Sequence, residues 1–116
     1  MFVSITFALA YNACILIIFG LCLILIPRKV LKEMALKMNE KDLMIYRVCG
    51  LWVVAGGIVS AFSYYALDSE IQRLAGYLFL VVHTTEAVIK MIAIPEMPKK
   101  IIANGHLALI FLLALI

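Results

Sequence analysis

Hydrophobic residues run along this chain in four long blocks, and charged residues gather mainly in the connections between them. The blocks cover residues 2–26, 48–67, 74–94 and 101–116. The first three are 20 to 25 residues long, and a helix that spans a bilayer needs about 20. The fourth has 16 residues. A start at Pro98 lengthens it, because proline suits the first helical position.

The blocks predict an all-α integral membrane four-helix bundle that forms a single transmembrane domain over residues 1–116. The spans are expected at about 2–26, 48–67, 74–94 and 98–116. Asn104-Gly105 in the last block is a turn signal, so three spans followed by an interfacial tail are an open alternative. Composition excludes an ordinary soluble domain, because 66% of the residues are hydrophobic, against about 45–50% in soluble domains.

Basic residues predict the orientation. The connection between the first two blocks carries six of them: Arg28, Lys29, Lys32, Lys37, Lys41 and Arg47. The next connection has only Arg73, and the third has Lys99 and Lys100. Basic connections lie on the cytoplasmic side, so the 27–47 loop is expected in the cytoplasm and both termini outside. The net charge of +3 is then a topology signal, and no nucleic-acid partner is expected.

The cytoplasmic loop also has an amphipathic pattern. Four apolar residues recur at helical spacing, with basic residues on the opposite side: Val30, Leu31, Met34 and Met38. A helix of this kind lies in the membrane interface and attracts anionic lipids. Residues 28–41 are therefore expected to contact anionic lipid headgroups.

Polar residues interrupt the third block and mark a candidate site. His83, Glu86 and Lys90 fall on one helix face, and a charged side chain at bilayer depth is a functional-site hypothesis by default. Glu86 precedes Lys90 by four residues, which is the favourable order for an ion pair. Counting from the expected inner span ends predicts a wider polar layer near the depth of His83 and Glu86, with further members Asn12, Ser60 and Ser63. His106 completes the candidate site at about the depth of Lys90.

Three hypotheses compete for this polar layer. In the first, Glu86 and Lys90 form a structural pair. In the second, Glu86 handles protons or cations. In the third, His83 holds haem or a metal ion together with His106, Glu86 or Cys14. The two histidines are offset by about six residues, roughly 9 Å of helix rise, which suits two axial ligands poorly. No cofactor is therefore predicted, and no catalytic residue or metal ligand is assigned.

Small residues in the second block predict close helix packing. Gly56 and Ser60 are separated by three residues, and so are Gly57 and Ala61. Small residues at this spacing let two helix backbones approach in lipid. The pattern predicts a packing face within the bundle, and a contact face for another subunit is the alternative.

One stretch of the chain resembles a known family. It has Pro27 at the end of a span, Met34 in a basic helix, and then Arg47, Gly50 and Gly57 at the start of the next span. In these features residues 23–60 resemble the YjeT-like membrane hairpins, small bacterial membrane proteins whose function is not established. The resemblance implies a hairpin of two spans and leaves Glu86 outside it.

The sequence favours a non-catalytic accessory or assembly subunit of a larger membrane complex. The chain has no recognisable catalytic motif, and it has small-residue and interfacial surfaces that suit other membrane subunits or self-association. The alternative is a proton-coupled transporter or cation pathway in which Glu86 carries the charge. That alternative requires Glu86 to change its charge during a cycle, whereas a structural pair requires a fixed charge.

Overall fold

The computed structural model describes residues 3–33, 40–66, 68–93 and 98–116 of the chain. Every regular element formed by these residues is an α-helix, which confirms the all-α prediction for this part of the chain. There are five helices in chain order: α1 (Ile5–Leu25), α2 (Pro27–Glu33), α3 (Glu40–Tyr65), α4 (Ser69–Ala93) and α5 (Pro98–Leu115). Met34 and Met38 of the predicted amphipathic segment lie outside the described residues.

Three of these helices are long and apolar enough to cross a membrane. Their candidate spans are Ile5–Leu25, Leu43–Tyr65 and Ser69–Ile92, so the prediction of transmembrane helices is confirmed at this level. The apolar part of α5, Ile102–Leu115, is shorter. At 1.5 Å per residue it extends about 21 Å, whereas the hydrocarbon core is about 30 Å thick. A bundle of four spans therefore stays a prediction.

Helix α5 is continuous through Asn104 and Gly105. The turn that this dipeptide signals does not form, in keeping with a helix that begins at Pro98. An Asn-Gly pair favours a turn when its polar groups meet water, but a helix satisfies the backbone hydrogen bonds internally, as lipid requires. The side chain of Asn104 also forms hydrogen bonds with Glu86 and Lys90 of α4, and these bonds stabilise the helical conformation.

Polar side chains close the connection between α3 and α4. The carboxylate of Asp68 accepts a hydrogen bond of 2.8 Å from the backbone N–H of Glu70, at the start of α4. The side-chain amide of Gln72 donates to the carbonyls of Tyr64 and Ala66, both at 3.1 Å. These bonds satisfy groups that helix ends leave without partners. They let α4 begin at Ser69, five residues before the apolar block predicts.

The chain forms two compact units. The first, Tyr11–Phe62, is called here the α1–α3 unit. In it the backbones of α1 and α3 come close at glycines. A methyl group on Gly50 would lie 2.8 Å from the carbonyl oxygen of Gly20, and one on Gly57 would lie 2.7 Å from Cγ1 of Ile17. Because the later glycine of α3 meets the earlier part of α1, the two helices run antiparallel.

The second unit consists of Met1–Ala10 and Ser63–Ile116 and is called here the α4–α5 unit. Gly76 of α4 lies against side chains from both other helices of this unit. A methyl group there would be 2.6 Å from Cδ1 of Ile5 and 3.2 Å from Cδ2 of Leu115. Phe79 of α4 contacts Phe111 of α5. The buried apolar side chains of these two helices are Ala75, Phe79, Ala87, Leu107, Phe111 and Ala114.

Replacing Gly50 by alanine is expected to destabilise the chain by about 1–3 kcal/mol, the usual cost of overpacking. Its new methyl would overlap the backbone of α1, which cannot rotate away. Gly56→Ala is the matched control, because a methyl there finds its nearest atom at 3.5 Å, on Leu16. That control should be neutral or gain up to about 1 kcal/mol from helix propensity. Unfolding in mild detergent measures both changes, and equal stability of the two variants would contradict the described packing.

Candidate functional site

The candidate site lies between α4 and α5, and its apolar side is a stack of three rings. The imidazole of His83 is only 1% exposed. It stacks on Phe79, one turn earlier in α4, and on Phe111 of α5, with both centroid distances at 6.1 Å. The two phenylalanine rings are 5.6 Å apart. This stack fixes the position of His83, because each ring limits the rotation of the others.

On the polar side of the site, the side chain of Asn104 in α5 contacts three polar side chains of α4. Its side chain is 6% exposed. Its amide nitrogen donates to Oε2 of Glu86 and lies 3.5 Å from Nδ1 of His83. Its carbonyl oxygen accepts a hydrogen bond from Nζ of Lys90. We call His83, Glu86, Lys90 and Asn104 the polar cluster.

The polar cluster changes the predicted relation between Glu86 and Lys90. The sequence predicts an ion pair along one helix, whereas the structure places the Asn104 amide between the two charges as donor to one and acceptor from the other. An amide suits this position, because it offers both a donor and an acceptor in fixed geometry. The pairing therefore connects α4 to α5 and does not stay within α4.

Asn104 is the site residue that the sequence reasoning missed. The Asn-Gly dipeptide drew attention to local turn chemistry, but the useful signal was a carboxamide within an otherwise apolar helix. Such residues commonly form hydrogen bonds between helices in membranes. Glu86 precedes Ala93, the last residue of α4, by seven positions, or about 10 Å of helix.

The charged members of the polar cluster are not enclosed by this chain. The Glu86 side chain is exposed, and Lys90 is half-buried. The neighbouring Thr84 and Thr85 are exposed as well. All of them belong to the candidate span Ser69–Ile92. The structure therefore leaves several polar side chains exposed on a helix that is apolar enough to cross a membrane.

The other predicted site residues fall elsewhere. Asn12 and Ser60 are completely buried in the α1–α3 unit, where the Asn12 amide donates to Oγ of Ser60 at 3.2 Å. Ser63 is buried in the α4–α5 unit. His106 is exposed, two positions from Asn104 and so on another face of α5. The structure thus joins Asn12 to Ser60, and separately joins His83, Glu86 and Lys90 through Asn104.

Only part of the predicted small-residue face is packed against another helix. Gly57 is buried directly against α1, whereas Gly56 is half-buried and has room for a methyl group. Ser60 is buried through its bond to Asn12, and Ala61 is half-buried. The backbones also come close at Gly20 and Gly50, which the small-residue spacing did not select.

The described residues contain no group of three or more histidine, cysteine, aspartate or glutamate side chains that could hold a metal ion. His83 is enclosed by rings, and His106 is exposed. The chemistry that the polar cluster offers is hydrogen bonding and charge pairing at a helix interface.

No protein-family model, curated protein or solved structure matches this chain. The resemblance of residues 23–60 to the YjeT-like hairpins therefore stays a prediction.

Asn104→Leu is expected to destabilise the chain by about 1.5–3 kcal/mol, the range for a hydrogen bond to a charged group. The leucine fits the apolar helix but leaves Glu86 and Lys90 without their shared partner. The same substitution in a Glu86→Gln, Lys90→Met background should cost clearly less, since no charge is then left without a partner. Thermal unfolding in detergent gives both values. An equal cost in the two backgrounds would show that Asn104 does not act through the charges.

Proposed function

We propose that this protein is a non-catalytic accessory or assembly subunit of a larger membrane protein complex. The observation that carries the proposal is the exposed side chain of Glu86 within a candidate span. Lipid tails offer no hydrogen bonds, so a polar group that faces them is costly. A second protein surface would cover Glu86 and supply the remaining partners of its carboxylate.

The Asn104 bond supports this proposal. Asn104 holds Glu86 at the surface of α4 from the buried side. A carboxylate that is fixed in position costs less side-chain entropy when a partner binds. Thr84 and Thr85 expose hydroxyl groups at other positions around α4, and these can bond a neighbouring helix. Other membrane subunits or a second copy of this chain fit such a surface.

The proportions of the chain also favour an accessory role. The connection between α3 and α4 covers only residues 66–68, and the helices account for most of the described residues. An enzyme built this way would need its entire site among the helices. Association with larger subunits requires only the helix surfaces themselves.

We place the chain in the membrane with four spans, α5 being the fourth. The N- and C-termini are outside, and the 27–47 loop is cytoplasmic. Basic residues mark the cytoplasmic side of a membrane protein. Such residues gather where α1, α2 and α3 meet, at Arg28, Lys29 and Arg47, and they favour this orientation. The 18 residues of α5 extend about 27 Å, close to the thickness of the hydrocarbon core.

Purification in mild detergent is expected to recover the chain with a partner, or as a multimer of the 12.9 kDa subunit. Glu86→Gln should lower that recovery about fivefold or more, because an interface residue that contributes to binding costs more than about 1 kcal/mol when it is altered. Glu70→Gln is the matched control, because it removes the same charge from an exposed position at the other end of α4.

Mass spectrometry of the purified material decides between the outcomes. A lone monomer, or equal recovery from the two variants, would contradict the accessory-subunit proposal. A monomer that moves protons in vesicles, and stops doing so as Glu86→Gln, would support the alternative of a proton pathway. The network of His83, Asn104 and Glu86 is compatible with that alternative.

The orientation predicts a specific labelling pattern in intact cells. A membrane-impermeant thiol reagent should modify Glu70→Cys but not Lys32→Cys, in a chain whose Cys14, Cys22 and Cys49 are replaced by alanine. Both test positions are exposed, and they lie at opposite ends of the spans. Opening the cells should make Lys32→Cys reactive. The reverse pattern would show that the 27–47 loop is outside.

A further inference from the structure

An open pocket lies where α1 ends and α2 begins, beside the first turns of α3. Its volume is ≈ 290 Å³, near the lower limit of about 300 Å³ for small-molecule sites. Three of the lining residues are apolar and three are basic: Leu25, Ile26, Pro27, Arg28, Lys29 and Arg47. All of these residues belong to the α1–α3 unit.

Close packing of α1 and α3 forms the pocket. Position Gly50 lies against the last turns of α1, where an added methyl group would be 2.9 Å from Cβ of Leu23. Arg47 precedes Gly50 by almost one turn. Because α1 and α3 are antiparallel, this step carries Arg47 beyond Leu23, toward the end of α1. Arg47 therefore lines one cavity together with residues of the α1–α2 junction.

Pro27 determines where the other two basic residues of the pocket, Arg28 and Lys29, lie. It is buried and begins α2, with Ile26 between it and the last residue of α1. The backbone N–H groups of Lys29 and Val30 donate to the carbonyl of Ile26 at 3.1 and 3.2 Å and connect α2 to the end of α1. Arg28 and Lys29 follow Pro27 immediately, and both line the pocket.

The charge of this pocket selects an anion. Three cationic side chains line it, and none of the described lining residues is acidic. The planar guanidinium of arginine matches the oxygens of a phosphate group with two parallel hydrogen bonds. The chemistry therefore fits a phosphate better than a single-atom anion.

The apolar half of the pocket indicates where the phosphate comes from. Leu25 and Ile26 end the candidate span α1, and both are exposed. A lipid whose phosphate meets the three cations would lay its first acyl carbons along these two side chains. We propose that this pocket is a binding site for the phosphate headgroup of an anionic lipid. The proposal is independent of the accessory-subunit role and requires only that α1 and α3 cross the membrane.

Short-chain lipids test the site on the full chain in a mild detergent. Dioctanoyl phosphatidylglycerol is titrated against the thermal unfolding temperature, with dioctanoyl phosphatidylcholine and inorganic phosphate as separate arms. Phosphatidylglycerol should raise the unfolding temperature in a saturable manner, and the other two should not. Arg47→Gln should weaken the apparent affinity about fivefold, which corresponds to ~1 kcal/mol for one basic residue near anionic lipid.

Lys32→Gln is the matched control, because it removes one exposed charge from α2 outside the pocket. It should leave the affinity close to that of the unaltered chain. An equal loss with Lys32→Gln would show diffuse attraction and overturn the site. Equal stabilisation by phosphatidylcholine would overturn its selectivity for anions, and equal stabilisation by inorganic phosphate would overturn the lipid as its source.

A second variant covers the event that Arg47→Gln does not fold. Arg28→Gln combined with Lys29→Gln removes two lining charges from the other side of the pocket. It should weaken the phosphatidylglycerol response more than fivefold, if each charge contributes about equally. An unchanged response would overturn the proposal. Neither variant touches Glu86, so failure here and failure of the accessory-subunit proposal are distinguishable.

Discussion

The side-chain amide of Asn104 connects two charged residues of α4 to α5 within a largely apolar pair of helices. In lipid, apolar side chains give helices little reason to prefer each other over the acyl chains, so interhelical hydrogen bonds carry specificity. Asn104 also aligns the two helices, because a shift along α4 would break its bonds to Glu86 and Lys90 together. The ring stack around His83 needs the same alignment. The exposed position of Glu86 then follows from the buried position of its partner.

In the α1–α3 unit the helices associate mainly through close backbone packing. Here backbone meets backbone at Gly20 and Gly50, and the buried bond between Asn12 and Ser60 adds a polar connection. Close approach maximises van der Waals contact, which is the other source of helix association in membranes. It also determines where Arg47 emerges beside the end of α1. Packing in this unit thus creates the basic pocket, as polar bonding in the other unit presents Glu86.

Hydrophobic block length was sufficient to predict the helices, because lipid forces the backbone to satisfy itself within each span. The positions of helix ends and partners were harder to predict. The extension of α4 to Ser69 depends on Asp68 and Gln72, whose roles require the end of α3 to be nearby. Asn104 was placed in the fourth predicted span, and its local chemistry indicated only a possible turn there. Its bonds come from residues 14 and 18 positions earlier, and short-range patterns carry no information about such partners.

Solid-state NMR on the chain in lipid bilayers tests the central interaction most directly. Labelling the side-chain nitrogen of Asn104 with ¹⁵N and the carboxyl carbon of Glu86 with ¹³C isolates one pair of atoms. Hydrogen bonding between these side chains predicts strong dipolar coupling and a side-chain amide that exchanges slowly with water. Glu86→Leu removes the labelled carboxyl group and should make the amide exchange faster. Absence of the coupling, with an amide that already exchanges rapidly in the unaltered chain, would contradict the account.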